Sequence, residues 1–87
     1  MEDWLVLDAN AVAGELVELF GVEMTAVVHR CAHCGNTAAV GTLRAYTHGP
    51  GVVLRCAVCR EVVLRWVWRP DGPRIDRSGA ASMDVTT

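Results

Sequence analysis

Two cysteine pairs of identical spacing, Cys31-Ala32-His33-Cys34 and Cys56-Ala57-Val58-Cys59, stand 21 residues apart in a chain of 87. A chain of this length buries roughly 60% of the surface its unfolded form exposes, so its apolar core alone leaves it marginally stable. Four thiols that converge can supply the missing staple. Two tight knuckles, each giving two sulfurs, suit a tetrahedral site with Cys31, Cys34, Cys56 and Cys59 as ligands. A structural metal in such a site contributes on the order of 10 kcal/mol to folding. Zinc is the favoured ion. Iron is the alternative, because tetrahedral all-sulfur ligation suits both and the spacing does not separate them. The competing readings are dithiol redox chemistry and free buried thiols.

The compartment bears on that choice. The opening "MEDWLVLDAN" carries acids where a secretory leader needs basic residues and an apolar run. A cytoplasmic location is expected, and in a reducing compartment four cysteines do not persist as disulfides. Hydrophobic residues make up 52% of the chain, but no uncharged apolar run approaches the ~18 residues a membrane-spanning helix needs.

The rest of the chain reads as α+β: an N-terminal amphipathic helix packed on a small antiparallel sheet of zinc-ribbon or rubredoxin-like type. Asp8 is placed to cap a helix over about residues 9–20, with Gly21 as its stop. Val12, Leu16, Leu19 and Phe20 fall on one helical face, with Glu15 and Glu18 on the other. Leu7 and Val12 have the spacing of a hydrophobic staple, and Gly14 inside the helix suggests a close contact. From Met24 the chain turns to β-branched residues, giving a ribbon over about 24–77. The segment from Thr37 to Cys56, turned by "THGPG", reads as one hairpin. "EVVLRWVWR" alternates, with Val62, Leu64, Trp66 and Trp68 on one face and Glu61, Arg65 and Arg69 on the other. "PDGP" makes another turn, "RID" a short edge strand, and residues 78–87 a frayed tail beyond a single domain of residues 1–77. Gly35 favours the turn beneath the first knuckle, whereas Arg60 holds the equivalent place in the second.

Charge is unevenly placed. Residues 1–28 hold six acids and no Arg or Lys, while the remainder holds eight Arg and four acids. The formal net charge of -2 disfavours non-specific nucleic-acid binding, although Arg44, Arg55, Arg65 and Arg69 could form a basic patch on the sheet. The plainer reading is a solvated face paired with the acidic helix. Trp66 and Trp68 could stack on bases or dock a partner. The plainer expectation is that the helix covers them. His33 lies between two ligands and should point outward. His29 and His48 are not needed once four sulfurs complete a tetrahedron, and an open catalytic position is unexpected. No nucleophile-elbow, metalloprotease or phosphate-loop pattern is present, so the chain is not expected to be an enzyme.

The stretches "LDANAVAGELVELFGVEMTA", "CAHCG" and "YTHGPGVVLRC", followed by the second CxxC, resemble the actinobacterial domain-of-unknown-function family 6510 over roughly residues 5–77. That resemblance implies a small cytosolic zinc-ribbon protein ligating metal through the same four cysteines. It also implies an accessory or electron-transfer role serving an oxidoreductase. Rubredoxin-type knuckles usually offer glycine or proline around the second pair, and Ala57 and Arg60 depart from that pattern. The resulting expectation is a non-enzymatic accessory or interaction protein with a protein partner. Its alternatives are a rubredoxin-like iron electron carrier and a nucleic-acid-binding ribbon. The sequence leaves monomer and homo-oligomer equally open.

Overall fold

The computed structural model describes residues 6–84, so Glu2, Asp3 and the last three residues lie outside it. Strand β1 (Val6–Asp8) runs into a 3-10 turn over Ala9–Val12 and then helix α1 (Ala13–Phe20). The Asp8 carboxylate accepts from the Asn10 N–H, and Gly21 ends the helix in the left-handed region at φ 76°. The expected helix is therefore present, with its first turn wound more tightly. Leu16 is fully buried on the apolar face. Leu7 remains 44% exposed, and a methyl group placed on Gly14 would meet nothing within 4 Å. The expected close contact at Gly14 is not made.

The strands form two antiparallel sheets. Strands β4 (Arg44–Tyr46), β5 (Gly51–Arg55), β6 (Val62–Arg69) and β7 (Gly72–Asp76) join β1 in the order β1-β4-β5-β6-β7, and β2 (Val28–Cys31) lies between β3 (Thr37–Ala39) and β8 (Ala80–Met83). The class is α+β, as the alternation and the capped helix imply. Two expectations are corrected. The segment from Thr37 to Cys56 is not one hairpin: a 3-10 turn at Val40–Thr42 carries the chain from the small sheet to the large one. Val40 and Gly41 are buried there, with their N–H groups bonded to Val27 and Thr25 carbonyls. Residues 80–83, expected in a frayed tail, pair with β2, with His29 opposite Met83 and Cys31 opposite Ala80.

Period-two alternation separates the faces of the large sheet. Val52, Leu54, Leu64 and Trp66 are buried toward the helix, together with Ala9, Val12 and Leu16. The expected cover is met at Trp66, whereas Trp68 stays 46% exposed, and Glu15, expected on the outer face of the helix, instead links the helix to both rings. The indole N–H groups of Trp66 and Trp68 both donate to Glu15 Oε1, each at 2.9 Å. Trp66 is 2% exposed, so removing the acceptor would strand a buried donor, which costs about 1–3 kcal/mol. Glu15→Ala should destabilise the protein by that amount. Denaturant unfolding followed by tryptophan fluorescence reads the loss, and its disappearance in a Trp66→Phe background would assign it to this contact rather than to helix propensity.

Candidate metal centre

Each cysteine pair sits in the turn of a hairpin, the first between β2 and β3 and the second between β5 and β6. The two turns close with the same bonds. In the first, Cys31 N–H donates to Asn36 O at 2.8 Å and Gly35 N–H to Cys31 O at 2.9 Å. In the second, Cys56 N–H donates to Glu61 O and Arg60 N–H to Cys56 O, both at 2.9 Å. Gly35 and Arg60 also share the left-handed conformation, at φ 79° and 69°. Arg60 thus adopts the backbone that its side chain disfavours by roughly 1–2 kcal/mol. The Arg55 guanidinium donates to the Arg60 carbonyl at 2.9 Å and ties down the strained residue. The departure from glycine is accommodated without altering the knuckle.

The four sulfurs lie within 4.8 Å of one another. Cys31 and Cys59 approach to 3.7 Å across the two hairpins, as do Cys34 and Cys56. A tetrahedral ion with metal–sulfur bonds of ~2.3 Å places its ligands about 3.8 Å apart, so the cluster has the dimensions of a four-thiolate site. The same separations are far from the ~2.05 Å of a disulfide, and all four thiols are free. All four residues singled out by spacing are brought together, from both sheets. Cys31 and Cys56 are buried, Cys59 is partly covered and Cys34 is exposed.

Backbone donors surround the sulfurs. His33 N–H lies 3.4 Å from Cys31 Sγ, and Val58 N–H lies 3.3 Å from Cys56 Sγ. Desolvation pushes the Cys56 thiol up, but the N–H groups of Cys59 and Val58 and the thiols of Cys34 and Cys59 outweigh it and bring the pKa down to about 7. At Cys59 the Glu61 N–H acts downward, but desolvation and bonds to the other three thiols push the pKa up to about 12. Cys34 is raised as well: the Asn36 N–H acts against desolvation and the Cys56 and Cys31 thiols, and loses. Four thiols at this separation cannot all ionise freely, and a cation resolves the conflict.

His33 and His48 are exposed. His29 is not: it is 1% exposed on the same face of β2 as Cys31, and neither ring nitrogen has a hydrogen-bond partner. Burial lowers its pKa, and the nearby Ala38 backbone offsets this only in part. The sequence reading also passed over Gly79. Its carbonyl accepts the Ala32 N–H of the first knuckle at 2.8 Å, while its backbone presses on Val62 and Val63 of β6. The supposed tail therefore braces the centre. The four sheet arginines lie on the face opposite the helix, so the expected pairing with helix acids does not occur. Among the described residues, the ion pairs are instead Arg65–Asp76 and Arg74–Asp71. No helix among the described residues is long and apolar enough to cross a membrane.

The model of a family of unknown function, DUF6510, matches residues 1–87, and the chain belongs to that family. No curated protein and no solved structure matches it.

Proposed function

We propose that this member of the DUF6510 family is a small, non-enzymatic zinc protein in which the four-cysteine site clamps two sheets together to present an interaction surface. The observation that carries the reading is the placement of the sulfurs: each of two separate sheets supplies one pair, at the edge length of a zinc–thiolate tetrahedron. Four protein ligands complete the coordination shell. That leaves no position for a substrate or an activated water, which supports a structural rather than a catalytic role. Free thiols in such a cluster belong in a reducing compartment, which supports a cytoplasmic setting.

A second reading, iron in place of zinc, is favoured by the matched knuckles. An N–H to sulfur bond in each, with exposed Cys34 at the surface, would suit a one-electron carrier for an oxidoreductase. Metal analysis and an absorption spectrum on protein purified from its native host decide between the two. About one zinc per chain with no visible band is the expected result. About one iron with a visible charge-transfer band would replace the clamp by an electron carrier, and less than a tenth of an equivalent of any metal would sink both.

A further inference from the structure

We propose that the face of the large sheet turned away from the helix binds an acidic, extended polypeptide segment in which carboxylates alternate with aliphatic side chains. This deepens the interaction-module reading and rests on it.

The register defines the face. Arg44 is opposite Arg55, Tyr46 opposite Val53, Val53 opposite Arg65, Arg65 opposite Asp76 and Val67 opposite Arg74. Arg69 follows Arg65 and Val67 on the same side of β6, alternating with Leu64, Trp66 and Trp68, which turn toward the helix. Five arginines thus share one surface with three carboxylates: Asp76, Asp71 in the adjoining turn, and Asp8, which stands opposite Arg44 at the β1 edge and accepts from the Asn10 N–H. In a protein of net charge -2 this is a concentrated basic field, and it selects an anionic partner. Among the described residues the ion pairs on this face are Arg65–Asp76 and Arg74–Asp71, and neither Arg44 nor Arg69 takes part in one.

The floor of this face is aliphatic. Val53 and Val67 are only partly covered, and with Tyr46, His48, Pro50 and Arg74 they line an open groove of about 650 Å³. Residues on one face of a strand repeat every ~6.8 Å. Arg65, Val67 and Arg69 therefore present basic, apolar and basic groups at the period with which an extended peptide presents alternate side chains. Spacing alone would also suit a single-stranded nucleic acid, so the choice falls to stacking. Such binders use exposed aromatic rings as base platforms. Among the described residues Tyr46 is the one Phe, Tyr or Trp on this face, and the Arg55 guanidinium already stands 5.6 Å from its ring centroid. Trp66 and Trp68 are held on the other face by Glu15. Valines between arginines match aliphatic side chains between carboxylates better than they match bases.

The test is fluorescence anisotropy of the metal-loaded full chain against a labelled pool of octapeptides in which Asp or Glu alternates with Val, Ile or Leu. Saturable binding is expected. Arg44→Glu with Arg69→Glu should weaken it at least tenfold, as should Val67→Asp, whereas Val17→Asp on exposed helix α1 should leave it unchanged. The metal content of every variant is measured alongside. No saturable binding, or binding indifferent to the sheet variants, overturns the proposal. Tighter binding of a 12-nucleotide single-stranded DNA than of the peptide pool overturns it in favour of nucleic acid. Stoichiometric metal without peptide binding would sink this inference and leave the clamp standing. Peptide binding by protein that holds no metal would do the reverse.

Discussion

Removal of the metal with a strong chelator, or Cys56→Ser, is expected to abolish the native fold rather than soften it. Net stabilities of small domains are about 5–15 kcal/mol, and a four-thiolate zinc site in a small domain supplies about 10–16 kcal/mol. The metal term is therefore as large as the whole margin. Geometry strengthens the case, because the hairpins that carry the ligands belong to different sheets, and losing the ion removes a tie between the β3-β2-β8 sheet and the large one. Cys56 is fully buried, so the serine variant also leaves a polar group without its metal partner. The expected signature is loss of amide dispersion in the nitrogen–proton correlation spectrum, restored by one equivalent of zinc. Loading should also release protons. Cys34 and Cys59 are held above the ordinary thiol range and give up their protons on loading, whereas Cys56, brought down to about 7, gives up less. Zinc affinity must then fall as pH falls, and chelation should succeed at lower chelator concentration at pH 6 than at pH 8. A metal-free protein with a dispersed spectrum and an unchanged melting temperature would show that the core alone holds the sheets.

The ligands were legible because a knuckle is local: Cys-x-x-Cys with a left-handed residue after it encodes its own turn. The helix was legible for a similar reason, since Asp8 and Gly21 mark its ends and Leu16 its buried face. What the sequence concealed was set by contacts between distant segments. "AAVGTLRAY" keeps an unbroken strand-like alternation through Thr42 and Arg44, so it gives no sign that Val40–Thr42 leaves one sheet for the other. The strand "AASM" lacks the β-branched and aromatic residues that announce a strand, and its pairing with β2 depends on how the preceding glycine approaches β6. Arg60 read as a departure from the glycine of the first knuckle, yet its carbonyl bond from Arg55 holds the same conformation. The burial of His29 is equally hidden, because it lies on the inner face of β2 with Cys31 and a lone histidine before a knuckle carries no burial signal of its own.

Gly79→Ala should be the most damaging single methyl group in the described chain outside the ligands. A Cβ at Gly79 would overlap the Val62 carbonyl oxygen and come within 2.7 Å of Val63 Cα. Both are backbone atoms of the longest strand, so neither can swing aside as the end of a side chain would. Relief requires the segment before β8 to lift from β6. That movement also pulls the Gly79 carbonyl from the Ala32 N–H and withdraws support from the first knuckle. Overpacking a fixed interface costs about 1–3 kcal/mol, and a lost buried hydrogen bond adds about 1 kcal/mol. A total near 3 kcal/mol lowers the melting temperature of a domain this size by roughly 12–24 °C. Gly49→Ala serves as the control, because a Cβ there meets nothing within 4 Å, and it should stay within about 2 °C of the parent protein. The variant should also surrender its metal to a competing chelator faster, since the clamp and the brace fail together. A melting temperature for Gly79→Ala equal to that of Gly49→Ala would mean that β8 does not press on β6 in solution, and that residues 78–84 are the loose end their composition suggests.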